Sequence, residues 1–134
     1  MIFLVPDACF LLTKADNQYK LSAMTILQIQ RRIEQVRRQL TDLGPLHPGT
    51  LTEQYNVCGT PGCHCKDPKD PSKHGPYYQL SFSRRSRSTS RFVRPEQVAL
   101  MQQKVANYKK LRELVKEWVD LAIELERLER EQAR

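Results

Sequence analysis

Three cysteines and two histidines are packed into the segment from Cys58 to Tyr78, CGTPGCHCKDPKDPSKHGPYY, whose other residues are those of loops. Thiolates are soft ligands, and structural zinc is held by four sulfur or imidazole donors in a tetrahedron. Cys58, Cys63, Cys65 and His74 supply that number and predict a Zn2+ site. Gly59, Thr60, Pro61 and Gly62 allow the tight reversal that turns two sulfurs toward one ion, and Gly75 with Pro76 turns the chain away afterwards. The spacing C-x4-C-x-C-x8-H departs from the paired C-x2-C and H-x3-5-H frameworks. His64, between Cys63 and Cys65, is an alternative fourth ligand; His47 is remote in sequence. The competing reading is a loop with ordinary thiols, or a Cys58 to Cys63 disulfide. Clustering argues against it, because three of the four cysteines fall within eight residues with no apolar run in which to hide. Cys9, in an apolar segment, reads as a packing residue.

A second constellation follows directly. Arg84, Arg85, Arg87, Arg91 and Arg94 lie within eleven residues that contain no acid and are interspersed with Ser83, Ser86, Ser88, Thr89 and Ser90. Guanidinium groups bridge phosphate oxygens through paired donors, and small hydroxyls add neutral hydrogen bonds. Tyr77 and Tyr78 can stack on unpaired bases where a ring faces outward. The alternative is a solvated hairpin tip whose arginines keep an edge strand soluble. Five contacts to duplex phosphates would give a slope of log affinity against log salt near about −4 to −5.

These residues need elements to position them. From Met24 to Leu43, the residues Ile26, Ile29, Ile33, Val36, Leu40 and Leu43 recur at steps of three and four, a heptad seam on one helix stripe, as in a coiled coil. Gly44 and Pro45 stop that helix. A second helix is predicted from near Arg94, with Pro95 at its first position and Glu96 at the positive end of its dipole, running almost to the C-terminus. Val98, Met101, Val105 and Tyr108 form one stripe, extended by Val115, Val119 and Ala122. Leu111, Leu114, Trp118, Leu121, Leu125 and Leu128 form another. The combined face is wider than one neighbouring helix covers, which points to a further layer or to a homodimer interface. The alternative is an intramolecular helical hairpin whose remaining face is covered by residues 1–23. Between the helices, Gln54 to Val57, Tyr77 to Ser83 and Ser88 to Val93 read as extended. The last two form a β-hairpin connected through Arg84 to Arg87, with Tyr78, Leu80 and Phe82 alternating inward and Phe92 available for the same core.

The fold class expected is therefore mainly α with a small β insert: two long antiparallel helices flanking a Cys/His loop and a β-hairpin. Residues 1–23 form an apolar N-terminal segment, and 24–134 a single helical domain with a central insert at 49–95. The net charge of +7 concentrates in that insert, which holds eight basic and three acidic residues. Residues 96–134 hold eight of each, a solvated helix surface. The opening MIFLVPDACFLL is interrupted by Pro6 and Asp7, lacks a basic leader and is too short to span a bilayer; Met24 offers a second start. The expectation is a cytoplasmic protein with no membrane partner.

LTEQY at Leu51 to Tyr55, the cysteine cluster, HGPYYQLS at His74 to Ser81 and NYKKLREL at Asn107 to Leu114 together resemble an uncharacterised bacterial and archaeal family. It comprises small proteins of unknown function, frequently encoded in or near transposable elements. The resemblance spans about residues 24 to 130 and implies the layout and a mobile-element setting; members commonly carry a glycine-containing turn where this chain has Arg84 to Arg87. The function expected is a non-enzymatic accessory protein that binds DNA or RNA, with a transposase or another nucleic-acid enzyme as a further partner. The alternative is a protein-interaction adaptor or inhibitor acting through the helices. Catalysis is the third reading. It would need an open zinc position with Glu53 as base, or a Cys63 or Cys65 nucleophile activated by His64 or His74, and neither arrangement follows from adjacency in sequence.

Overall fold

A computed structural model describes Leu21 and residues 23–134. Cys9 and the apolar opening segment lie outside the described residues. The elements in order are helix α1 (Ile26–Thr41), strand β1 (Thr50–Asn56), a 3-10 turn (His64–Lys66), strands β2 (His74–Arg84) and β3 (Arg87–Val93), a second 3-10 turn (Pro95–Gln97) and helix α2 (Val98–Gln132).

Helix α1 starts two residues later than its periodicity predicts, because Thr25 caps it. The Gln28 backbone N–H donates to Thr25 Oγ1 at 3.3 Å, and the Thr25 N–H donates to Gln28 Oε1 at 2.8 Å, a reciprocal capping box. The predicted stripe faces inward: Ile29 and Val36 are fully buried, and Ile26, Ile33 and Leu40 are half-buried.

The described residues fall into two compact units. Residues up to Gln39 together with Val115–Arg134 form one, and Leu40–Leu114 the other. In the first unit Ile29, Val36 and Leu121 are completely buried. A bidentate pair joins its two segments, with Arg32 Nε donating to Glu117 Oε1 at 2.5 Å and Nη2 to Oε2 at 3.0 Å. The Arg37 guanidinium lies 5.9 Å from the centre of the Trp118 ring.

The second unit contains an antiparallel sheet in the order β1-β2-β3. This corrects the expected fold class. The insert is a three-stranded sheet rather than a hairpin, and the helices are unequal, 16 and 35 residues long. Among the described residues 51% are helical and 22% are in strands, an α+β rather than a mainly α content. Only the end of strand β1, from Gln54, was expected to be extended, because it is an edge strand with one inward apolar residue, Leu51, among Thr50, Thr52, Glu53 and Gln54; polar edge strands lack the alternation that reveals central ones. Its pairing with β2 is also hidden by the long connection through residues 57–73.

Register fixes two faces. Leu51↔Leu80 in β1·β2 and Tyr78↔Val93 in β2·β3 place the apolar residues together. Leu80, Val93, Val98 and Met101 form the buried cluster, with Leu51, Tyr78, Phe82 and Val105 packed around it. The opposite face carries Thr50, Thr52, Gln54, Tyr77, Gln79, Ser81, Ser83, Ser88, Ser90 and Phe92. Phe92 is thus a second correction: it pairs with Gln79 on the outer face and is 65% exposed, outside the core for which its hydrophobicity made it available. The β2–β3 turn is two residues long, Arg85 and Ser86, with φ of 49° and 62°. Two-residue hairpin loops need positive φ, usually from Asn-Gly, to match the strand twist; here two non-glycine residues adopt it.

Candidate metal centre

The paired strands β1 and β2 bring the ends of the cluster together. Asn56 is the register partner of His74, so Cys58, just beyond β1, and His74, the first residue of β2, stand side by side. The connection then folds back to deliver the other two sulfurs. Pro61 and Gly62 form its tip, and Gly62, at φ 75°, takes the left-handed conformation that glycine adopts most readily. The His64–Lys66 turn is held by the Lys66 N–H donating to the Cys63 carbonyl at 2.9 Å. The Ser72 N–H donates to the His64 carbonyl at 3.2 Å and closes the rest of the loop.

The four donor atoms of Cys58, Cys63, Cys65 and His74 all lie within 4.8 Å of one another. Cys58 Sγ is 3.5 Å from Cys65 Sγ, and Cys63 Sγ is 3.2 Å from His74 Nε2. Sulfurs bound about 2.3 Å from a central ion sit roughly 3.8 Å apart at the corners of a tetrahedron. The cluster therefore has the dimensions of a single four-coordinate site, and these residues could hold a metal ion. His64 is exposed and outside the group, its Nδ1 3.8 Å from Cys63 Sγ and its ring 5.2 Å from that of His74. His47 lies elsewhere, edge-on to Phe82 at 4.9 Å. The carboxylate of Glu53 accepts from the Tyr55 hydroxyl at 2.6 Å and is not part of the group.

Two of the thiols are shifted in opposite directions. The Cys58 thiol is lowered to about 6, chiefly by the backbone N–H of Thr60 and then by the neighbouring thiols, so its thiolate is favoured at neutral pH. Cys65, only 2% exposed, is pushed the other way by burial. A bound cation would reverse that burial penalty by pairing the charge. Gly75 completes the frame. At φ 146° it lies against the bulged segment of β1, where a Cβ would stand 2.8 Å from the Gln54 carbonyl oxygen and 2.8 Å from the Tyr55 ring.

A family model for a domain of unknown function, DUF6788, matches residues 26–103. The chain belongs to that family. The DUF6788 region holds α1, all three strands, the four donors and the opening of α2. No curated protein and no solved structure matches the chain. Among the described residues, no helix is long and apolar enough to cross a membrane.

The arginines proposed for phosphate contact are all exposed, but they are divided. Arg84, Arg87 and Arg91 share the sheet face of Leu80 by register, Arg85 is in the turn and Arg94 follows β3. The serines form cross-strand ladders on the opposite face, Ser81 to Ser90 and Ser83 to Ser88, each at 3.0 Å. Tyr77 and Tyr78 likewise point to opposite faces. Tyr78 packs on the core, whereas Tyr77 is 44% exposed, with its ring 6.5 Å from that of Phe92. Sequence reasoning missed Phe92 as a surface residue, although its parity with Ser88 and Ser90 was readable once the two-residue turn was known.

Proposed function

We propose that this protein is a non-enzymatic nucleic-acid-binding accessory protein, whose sheet is fixed by zinc on Cys58, Cys63, Cys65 and His74 and whose arginine-rich hairpin meets phosphate. The observation that carries the reading is the β2–β3 tip. Arg84 and Arg87 are direct cross-strand partners, Arg85 sits between them, and none of the three has a carboxylate partner among the described residues. Like charges directly opposite destabilise a sheet, so this concentration works against folding and suits an anionic ligand instead. Three sulfurs and one imidazole are a donor set suited to zinc. Reduced thiols suit a cytoplasmic setting. The mobile-element context, with a transposase as a partner, rests on the sequence resemblance.

The test is a salt titration with a DNA duplex. A slope near about −4 to −5 is expected, falling by about 2 when Arg84 and Arg87 are both replaced by alanine. A salt-independent affinity, or none at low salt, sinks the proposal.

One observation favours a second reading, the protein-interaction adaptor. Val115, Val119 and Ile123, four residues apart along α2, are exposed. A partner helix or a second copy would cover such a stripe. Val119→Glu should then abolish co-purification of the partner, or dimerisation, without changing the salt slope.

A further inference from the structure

Beside the metal centre the outer face of the sheet holds a shallow cavity of about 310 Å3, lined by Asn56, Val57, Cys58, His74, Tyr77 and Phe92. Its size is at the low end for ligand pockets, about 300–1,000 Å3, which suits one planar ring system rather than a larger molecule. The Tyr77 and Phe92 rings meet edge to face at 68°, so a base can lie flat on only one of them, and Phe92 is the more exposed. Phe92 is a large hydrophobic side chain left mostly in water beside a second exposed ring, on a face that is otherwise amide and hydroxyl. No acidic residue lies on that face from Thr50 to Gln54, from Tyr77 to Ser83, or from Ser88 to Phe92 at the outward positions. Arg94 stands two residues beyond Phe92 in extended backbone, and Lys73 immediately precedes His74; both are exposed, and neither has an acidic partner among the described residues.

We infer that Phe92, with Tyr77 beside it as a wall, is a stacking platform for an unpaired nucleobase, making single-stranded nucleic acid the preferred ligand. This deepens the proposed function and rests on it. Exposed aromatics on an antiparallel sheet bind bases through their π faces, which in a duplex are already stacked. The flanking Arg94 and Lys73 supply charge complementarity for the phosphates on either side. Because Cys58 and His74 are both metal donors and cavity walls, the metal would hold the platform in shape.

The experiment titrates the metal-loaded protein with a short single strand carrying one 2-aminopurine, and with the same strand annealed to its complement. The single strand should bind at least about tenfold tighter than the duplex and quench the 2-aminopurine. Phe92→Ala should weaken it by about 5- to 150-fold, the range of one base–aromatic stack, with the salt slope and metal content unchanged, and Phe92→Tyr should restore it. Equal affinity for strand and duplex, with Phe92→Ala binding like the wild type, would overturn the platform; if Arg84→Ala with Arg87→Ala still weakened both ligands, the arginine-based function would survive. Failure to bind either ligand at low salt would overturn both.

Discussion

His74 and His64 have the same side chain and sit near the same sulfurs, yet their positions assign them different roles. His74 opens a strand locked by register to Asn56, so its Nε2 is held 3.2 Å from Cys63 Sγ, whereas His64 is on the exposed side of a short turn. Native mass spectrometry should find one metal per chain in the wild type and in His64→Ala, and none in Cys63→Ser. His74→Ala should lose more affinity than the about 10- to 100-fold expected from disturbing a ligand's outer partner. Retention of metal by His74→Ala with loss in His64→Ala would reverse the assignment. Arg87 offers a separate test of the proposed function, under which it would serve binding at the expense of folding. Arg87→Thr removes a like-charge pair and should raise stability by about 0.2–1 kcal/mol in denaturant melts while weakening oligonucleotide binding. A variant that is both less stable and equally competent in binding would show that the arginines are structural.

At the level of elements, the β2–β3 hairpin carries a local cost in its turn. Ser86 at φ 62° occupies the position where Gly is favoured. The left-handed conformation costs an L-residue about 1–2 kcal/mol, partly offset by the greater unfolded-state freedom of glycine. Ser86→Gly should therefore raise stability by about 0.5–1 kcal/mol. A lower denaturation midpoint would mean that this turn is held differently. The β1–β2 connection has the opposite sensitivity. Gly75→Ala would place a Cβ against the β1 bulge at a φ few L-residues adopt, so a loss of about 1–3 kcal/mol is expected, together with weaker metal retention, since His74 is its neighbour. Calorimetry with and without metal separates the two effects.

At the scale of the whole molecule, the two compact units predict a divided response to metal removal. The donors, the sheet and its core cluster all belong to the Leu40–Leu114 unit, while Ile29, Val36 and Leu121 are buried in the other. A structural metal supplies folding energy to the segment it closes, and amide protection reports such local stability. Chelation should thus accelerate hydrogen exchange in β1, the metal loop and the first half of β2, leaving 115–130 protected. Uniform deprotection would show that the metal holds the whole chain together.

The Cys/His cluster that could hold a metal was legible in the sequence because soft donors are rare and three thiols clustered in a polar loop have no local core to pack into. Both helices were legible because an amphipathic period repeats over many residues; the stripe of α1 and the Leu111 to Leu128 stripe of α2 are buried or half-buried, whereas Val115, Val119 and Ala122 are exposed. The sheet was only half legible. Its central strand shows alternation, but β1 is polar, and its partner lies across a connection whose closure depends on contacts distant in sequence. The direction of Phe92 was likewise beyond the pattern, since a hydrophobic residue can sit on either face and only register decides which. Residue type determined what chemistry this chain can do; strand pairing decided which sulfurs and which imidazole meet, and which aromatics remain exposed to solvent.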